Sequence, residues 1–380
     1  MNRPGNLPIA STRRYRPWLL GLALLAALFV QAANACQVCF PMPVKTLADR
    51  LLEADALVLA REDPERPFHY ATKEILKGDP GDTPIDAFLP SMERRVLAQF
   101  PERHMLLAHA KPDGRWSALG IADADYERLV RRVLAHAESW TPMGTANRQR
   151  LAEFVPLLGH ADSRLHEMAY LEIARAPYAE IRRIASMVPI ETVRDMLDQP
   201  RYLEWRSLAI LILAQSERPA DRERIRRTVA DKQRLSSMIN LAAWATAYLT
   251  IEGASGVGHI QHWYLTQPDR SREELREIVK ALSVVAGAEA PLREPVAAAY
   301  RALLETHPSL APDVARDLIA WRRWDFVEQI RGVRTAIAKQ DPLGAYAVGL
   351  YLRSAAGAAP SAPALPSIVG TTQRPIGVGQ

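Results

Sequence analysis

Two pairs of residues have types and spacing suited to chemistry. The cysteines Cys36 and Cys39 stand C-x-x-C. Such a pair exchanges disulfides when its first thiol sits at a helix N-terminus, where the dipole lowers the thiol pKa. Here Phe40-Pro41-Met42-Pro43 follow, the prolines forbid an immediate helix interior, and no βαβ pattern surrounds the pair. Zinc needs about four ligands, and the chain holds no second cysteine pair. Haem attachment needs histidine where Phe40 stands. What remains is a local disulfide, suited to an oxidising compartment and closing a loop too short to stabilise much.

The second pair is His259 and His262, one helical turn apart. Metal ligands use this spacing, but a third ligand must then be found. Glu252 lies upstream and Asp269 beyond a break, so a polar helix face is expected. Glu167 with Glu172, and Asp162 with His166, likewise suit ordinary helix surfaces. The run Gly253 to Gly258 has the glycine of a phosphate loop without its lysine or a preceding strand. G-x-S-x-G, H-E-x-x-H and calcium-loop motifs are missing from the sequence. The reading is therefore non-enzymatic, with no catalytic, cofactor-binding or metal residues. The alternative is a thiol redox enzyme using Cys36 and Cys39, or a metal-dependent hydrolase using His259 and His262.

The aromatics point to binding. Trp205, Trp244, Trp263, Trp321 and Trp324 fall among helical patterns, where most should fill core. Trp321-Arg322-Arg323-Trp324 on one helix would point around it, so not all four can be core. Exposed Trp and Arg are enriched at binding hot spots. A partner contact is expected near residues 321–331.

The elements that must carry these residues form a series. Leu158, Leu197, Val229, Leu265, Leu304 and Ile337 end successive apolar-periodic stretches, at spacings of 39, 32, 36, 39 and 33 residues. Polar or proline-bearing breaks follow: GHADS, DQPRY, ADKQR, TQPDRS, ETHPS and AKQDP. Second helices are expected at 165–174, 203–214, 235–249, 275–286, 314–321 and 343–352. Over residues 148–356 this two-helix unit resembles a HEAT repeat. The resemblance implies an α-solenoid of about six hairpins in which stacked neighbours share one apolar seam.

Residues 1–35 read as a secretory signal. Arg13, Arg14 and Arg16 precede the apolar run from Trp18 to Val30, and Ala33-Asn34-Ala35 is a small-x-small cleavage site. The apolar run is short for a bilayer span. The pair Arg13-Arg14 invites a twin-arginine reading, but Tyr15-Arg16-Pro17 follow, so the general secretory route is expected. Cleavage after Ala35 leaves Cys36 as first residue, and lipidation there would anchor the chain. The localisation expected is periplasmic or secreted, or lipid-anchored through Cys36. The formal charge of +5 drops to about +1 without the four leader arginines, which gives no reason to expect nucleic acid. Arg222, Arg224, Arg226 and Arg227 alternate with Glu223, as on a solvated helix face.

Residues 36–145 change pattern. Short apolar runs at 56–60, 68–76, 85–89, 104–110 and 116–121, with turns at Lys77-Gly78-Asp79-Pro80-Gly81 and Lys111-Pro112-Asp113-Gly114, read as strands of a small barrel or sheet. A helix at 126–136 closes it. The cysteine motif, the prolines after it, EADALVLARE and ATKEILKGD together resemble the start of a netrin-like or TIMP-like OB barrel over residues 36–121. That family's C-x-C pattern with distant partner cysteines is not reproduced here. Residues 357–380, rich in Pro, Ala and Gly, read as a disordered tail.

The fold class expected is α+β and multidomain: signal 1–35, β-containing domain 36–145, helical repeat 146–356, tail 357–380. The function expected is an exported scaffold recognising a protein or envelope partner along its helices, with membrane contact only if Cys36 is lipidated.

Overall fold

A computed structural model describes residue 38 and residues 45–81, 84–110, 114–142 and 147–357. Cys36, Cys39, the leader and residues 358–380 lie outside these.

The chain is α+β. Helix α1 (Leu47–Glu53) starts from a capping box, with Thr46 and Asp49 bonding each other's backbone N–H. It leads into β1 (Ala56–Asp63), β2 (Arg66–Lys77), β3 (Ile85–Asp86), α2 (Ser91–Gln99), β4 (His104–Ala110), β5 (Arg115–Ala122) and α3 (Ala124–Ala135). The five strands make a small curled antiparallel sheet in the order β3-β2-β1-β4-β5. The expected strands are all present, and β3 is only two residues long. Gly78 ends β2 at φ +65°, where a Cβ would meet the Asp55 carbonyl at 1.9 Å, so the turn requires glycine.

The central strand explains its unbroken apolar run, Ala56 to Ala60. Leu57 and Leu59 face the large core shared with α1 and α3. Ala56, Val58 and Ala60 face a smaller core with Met105, Leu107, Trp116 and Leu97 of α2. Both faces are covered, so apolar residues need not alternate with polar ones.

The helical region follows: α4 (Arg148–Phe154), α5 (Ser163–Ala174), α6 (Tyr178–Ile184), α7 (Ile190–Asp198), α8 (Arg206–Leu213), α9 (Pro219–Leu235), α10 (Leu241–Ile260), α11 (Arg272–Ala288), α12 (Arg293–Thr306), α13 (Ala311–Ala320), α14 (Val327–Gln340) and α15 (Pro342–Gly357). Five of the six expected breaks fall between helices. The sixth, ADKQR at 230–234, lies inside α9. Its residues are good helix formers with neither Gly nor Pro, and nothing in them stops a helix. The chain turns just beyond it, at Ser236 and Asn240, both left-handed at φ 49° and 52°. Two expected helices also meet end to end in α10, which kinks at Gly253 (φ 60°) and finishes in a π-helical turn, Gln261–Leu265.

Residues 35–355 form one compact unit, and its main apolar core runs from Leu47 to Tyr351. Where the sheet meets the first helices, four charged side chains are buried. Asp49 of α1, Arg150 of α4, and Glu172 and Arg175 at the end of α5 are 0–3% exposed. Asp49 Oδ1 accepts from Arg150 Nη2 at 2.7 Å and from Arg175 Nη2 at 3.1 Å, and Asp49 Oδ2 accepts from Arg175 Nη1. Glu172 Oε1 accepts from Arg175 Nη2 at 2.7 Å and lies 2.5 Å from Arg150 Nε. Arg150 Nη1 donates to the Thr141 carbonyl at 2.9 Å. Two acids and two bases sum to zero charge, the condition for holding ions in a dry interior. Burial and these carboxylates act oppositely on the Arg175 guanidinium, and its pKa ends above its usual value. Glu172 is thus no surface residue, contrary to the helix-surface expectation. A second tie lies nearby, where Arg164 of α5 donates to the Ile121 carbonyl at 2.6 Å and to Asp123 at 2.9 Å.

Asp49→Asn leaves two buried guanidinia facing one carboxylate. Losing one partner of a buried pair costs about 3–5 kcal/mol. Urea unfolding of the variant should show a loss of that size, and a loss below about 1 kcal/mol would contradict the assignment.

A candidate binding cleft between two helices

Helices α11 and α13 present residues to each other at helical spacing. Arg276, Lys280 and Ser283 lie on one face of α11, and Asp313 and Asp317 on one face of α13. Two pairs cross between them: Arg276 Nε donates to Asp313 Oδ1 at 3.0 Å, and Ser283 Oγ to Asp317 Oδ1 at 2.8 Å. Tyr300 of α12 donates to Asp317 Oδ2 at 2.7 Å, and Trp321 stacks on Tyr300 with ring centroids 6.0 Å apart. Between the helices opens a cleft of about 490 Å³, also lined by Met238, Val279, Glu273, Glu277 and Arg316.

The electrostatics follow from depth. Burial raises the Asp317 carboxyl pKa above its ordinary value, although the Tyr300 and Ser283 hydroxyls favour its ionised form. Burial raises Asp313 too, against the pull of Arg276 and Arg272. Tyr300 is fully buried, and burial together with Asp317 raises its pKa well above normal. Carboxyls perturbed in this way beside a cleft mark a candidate functional site. The walls alternate in sign, so the cleft offers donors and acceptors to a polar, extended ligand.

Met238 belongs to the 236–240 turn and also lines a second, polar recess of about 540 Å³ with Arg270, Glu274 and Ser236. The left-handed Ser236 and Asn240 bracket this turn, and Leu235, Met238 and Ile239 are exposed. Left-handed backbone is costly for residues other than glycine, and such strain clusters at functional sites.

The residues expected from sequence are placed as follows. Cys36 and Cys39 lie outside the described residues. His259 Nδ1 is 2.7 Å from the Tyr248 hydroxyl and its ring stacks on Trp263, while His262 is exposed two residues after α10 ends. Among the described residues, no group of three or more His, Cys, Asp or Glu is placed to hold a metal. Gly253 to Gly258 lie within the kinked helix. Trp321 to Trp324 do not share a helix: α13 ends at Ala320 and Arg322 turns the chain at φ 56°. Trp321 and Trp324 are half-buried, the latter 5.7 Å from the Tyr351 ring. Arg323 binds Asp325 through two nitrogens, at 2.9 and 2.8 Å, and Arg322 is exposed. Arg224, Arg226 and Arg227 lie on an outer face with acidic partners Asp198, Glu252 and Glu223.

The cleft itself cannot be read from the sequence. Its signal is present, as bases and acids at i, i+4 on two apolar-periodic stretches with a third between them, but that pattern also describes any solvated helix. The chain matches no family model, no characterised protein and no solved structure in the comparisons made.

The Asp317 shift has a sign that can be measured. Its folded-state pKa lies above the unfolded value of 3.8, so folding favours the protonated acid. That contribution is full below the unfolded pKa and is lost as pH rises through the folded one. Asp317→Asn should remove this slope and leave the variant at least as stable as wild type at pH 7. Thermal melts from pH 3 to pH 7 check it. A variant with an unchanged slope would contradict the burial argument.

Proposed function

We propose that this chain is an exported, non-enzymatic binding protein that holds a partner protein of the cell envelope. The 236–240 turn and the α11–α13 cleft beside it form the contact. One observation carries the reading: strained backbone at Ser236 and Asn240 brackets the exposed side chains of Met238 and Ile239, with exposed Leu235 just before it, next to that cleft. Apolar side chains rimmed by polar groups are typical of protein contact sites. A segment of the partner would lay its apolar side chains on this knuckle and its polar groups along the cleft.

The finer architecture belongs to the same proposal. The helices are read as a HEAT-like array, whose stacking gives a long surface for such a contact. The sheet is read as an OB-like barrel opened between β3 and β5, the two strands at its edges. Export rests on residues 1–35, and no helix of the described residues is long and apolar enough to cross a membrane. Trp321, Arg322, Arg323 and Trp324 are kept as a second contact on the strength of Arg322, which a left-handed turn leaves exposed.

The test uses a photo-crosslinking residue in the full chain in its native cells. Placed at Ile239, it should give one discrete adduct, lost when Met238→Asp is added. The same probe at Tyr346, also exposed, should not give that adduct. No adduct at 239, or the same adduct from both positions, would overturn the proposal.

A further inference from the structure

His166 lies in α5 and is 0% exposed. Its ring packs against two aromatic rings from a different part of the chain, whose own centroids are 6.2 Å apart. Tyr202 and Trp205 each have ring centroids 4.5 Å from it, at interplanar angles of 30° and 34°. Both belong to the 3-10 turn Pro200–Trp205 that joins α7 to α8. The ring is therefore no helix-surface group, contrary to the expectation from its spacing to Asp162. Neither ring nitrogen makes a well-formed hydrogen bond. A polar ring has been placed where an apolar one would pack as well, which leaves its titration without a structural purpose.

The charged and titratable groups around it offer a proton no stable home. On its own helix, Asp162 is taken by Arg164, and Glu167 is exposed. On the preceding turn, His160 Nδ1 accepts from the Asp162 N–H. On the aromatic turn, Glu204 is exposed and Arg201 lies over the Tyr202 ring at 4.5 Å. Arg206 heads α8 with its Nε unpartnered. Among the groups acting on the imidazole, burial disfavours the cation most, Arg201 opposes it too, and only the Leu158 carbonyl favours it.

We propose that this aromatic cluster is an acid-released latch: a proton on His166 drives Tyr202 and Trp205 off the ring and frees the 200–205 turn from α5. The mechanism is charge burial. An imidazolium packed against two rings in a dry site, with a guanidinium nearby, regains solvation only if the turn opens. Release would leave α7 and α8 joined by a loose segment while the core beyond them stays packed. The inference stands apart from what the α11–α13 cleft binds.

Burial lowers the folded-state pKa from 6.5 to about 4. The closed turn therefore has its full stability above pH 6.5 and loses it as pH falls from there toward 4. A drop on the order of 100-fold in the closing equilibrium is expected by pH 4, at tenfold per pK unit.

Hydrogen exchange of the full chain, read by mass spectrometry and corrected for intrinsic rates, tests this. Protection of residues 199–207 should fall on the order of 100-fold between pH 7 and pH 4, while residues 241–252 keep theirs. His166→Phe should hold the turn protected across the range. Should that variant not fold, His166→Met supplies the same non-titrating comparison. Protection in wild type that is flat to pH 4, a variant that opens as wild type does, or equal loss at 241–252 would each overturn the latch.

Discussion

The structure depends on a set of buried charges that must meet. Asp49 sits at the first turn of α1, and its partners Arg150 and Arg175 come from α4 and α5, 101 and 126 residues further on. An unpaired ion in a dry interior costs several kcal/mol. Any arrangement of sheet and helices that separates these side chains therefore carries that penalty more than once. The cluster need add little net stability over apolar residues of the same size. What it does is penalise alternatives, since an apolar patch tolerates sliding and a set of bidentate contacts does not. The capping box fixes Asp49 further, because Asp49 Oδ2 also accepts from the Thr46 backbone N–H at 3.1 Å.

Rigidity at this junction sets what lies beyond it. The apolar core is continuous from α1 to α15, so a fixed start is passed along packed helices to the α11–α13 cleft. Within that cleft the same physics recurs in milder form. Asp317 is held by two hydroxyls and Asp313 by one guanidinium. Their raised carboxyl pKa values record incomplete compensation for burial. The three buried polar settings differ in degree: four paired charges at the junction, two partly satisfied carboxyls in the cleft, and at His166 an imidazole whose nitrogens make no well-formed hydrogen bond. The first is built to stay closed, and the last is the one an acid shift would open.

Much of the architecture could be read from the sequence, for identifiable reasons. Leu129, Val130 and Val133 have helical spacing, and burial of one face follows from it. The run Ala56 to Ala60 is apolar at every position, and a strand covered on both faces needs that. Helix α1 is only seven residues long, and the capping box of Thr46 and Asp49 is its main signal in the sequence. The break at 230–234 was misplaced because a left-handed turn at Ser236 and Asn240 has no glycine to announce it. Glu172 and His166 have the spacing of surface residues and are buried. Helical spacing gives the angle of a side chain around its own axis but not what covers that face, and here the cover comes from α1 and from the 200–205 turn. The cleft was hidden for the same reason, since Arg276 and Asp313 find each other only across two helices.

The central claim is that the buried charges make sheet and helices open as one. Segment-resolved hydrogen exchange in rising denaturant tests it most directly, comparing amides of β4 with those of α5. One shared opening free energy for both segments is the result the account predicts. Separate values in the wild-type chain, with β4 exchanging while α5 stays closed, would contradict it.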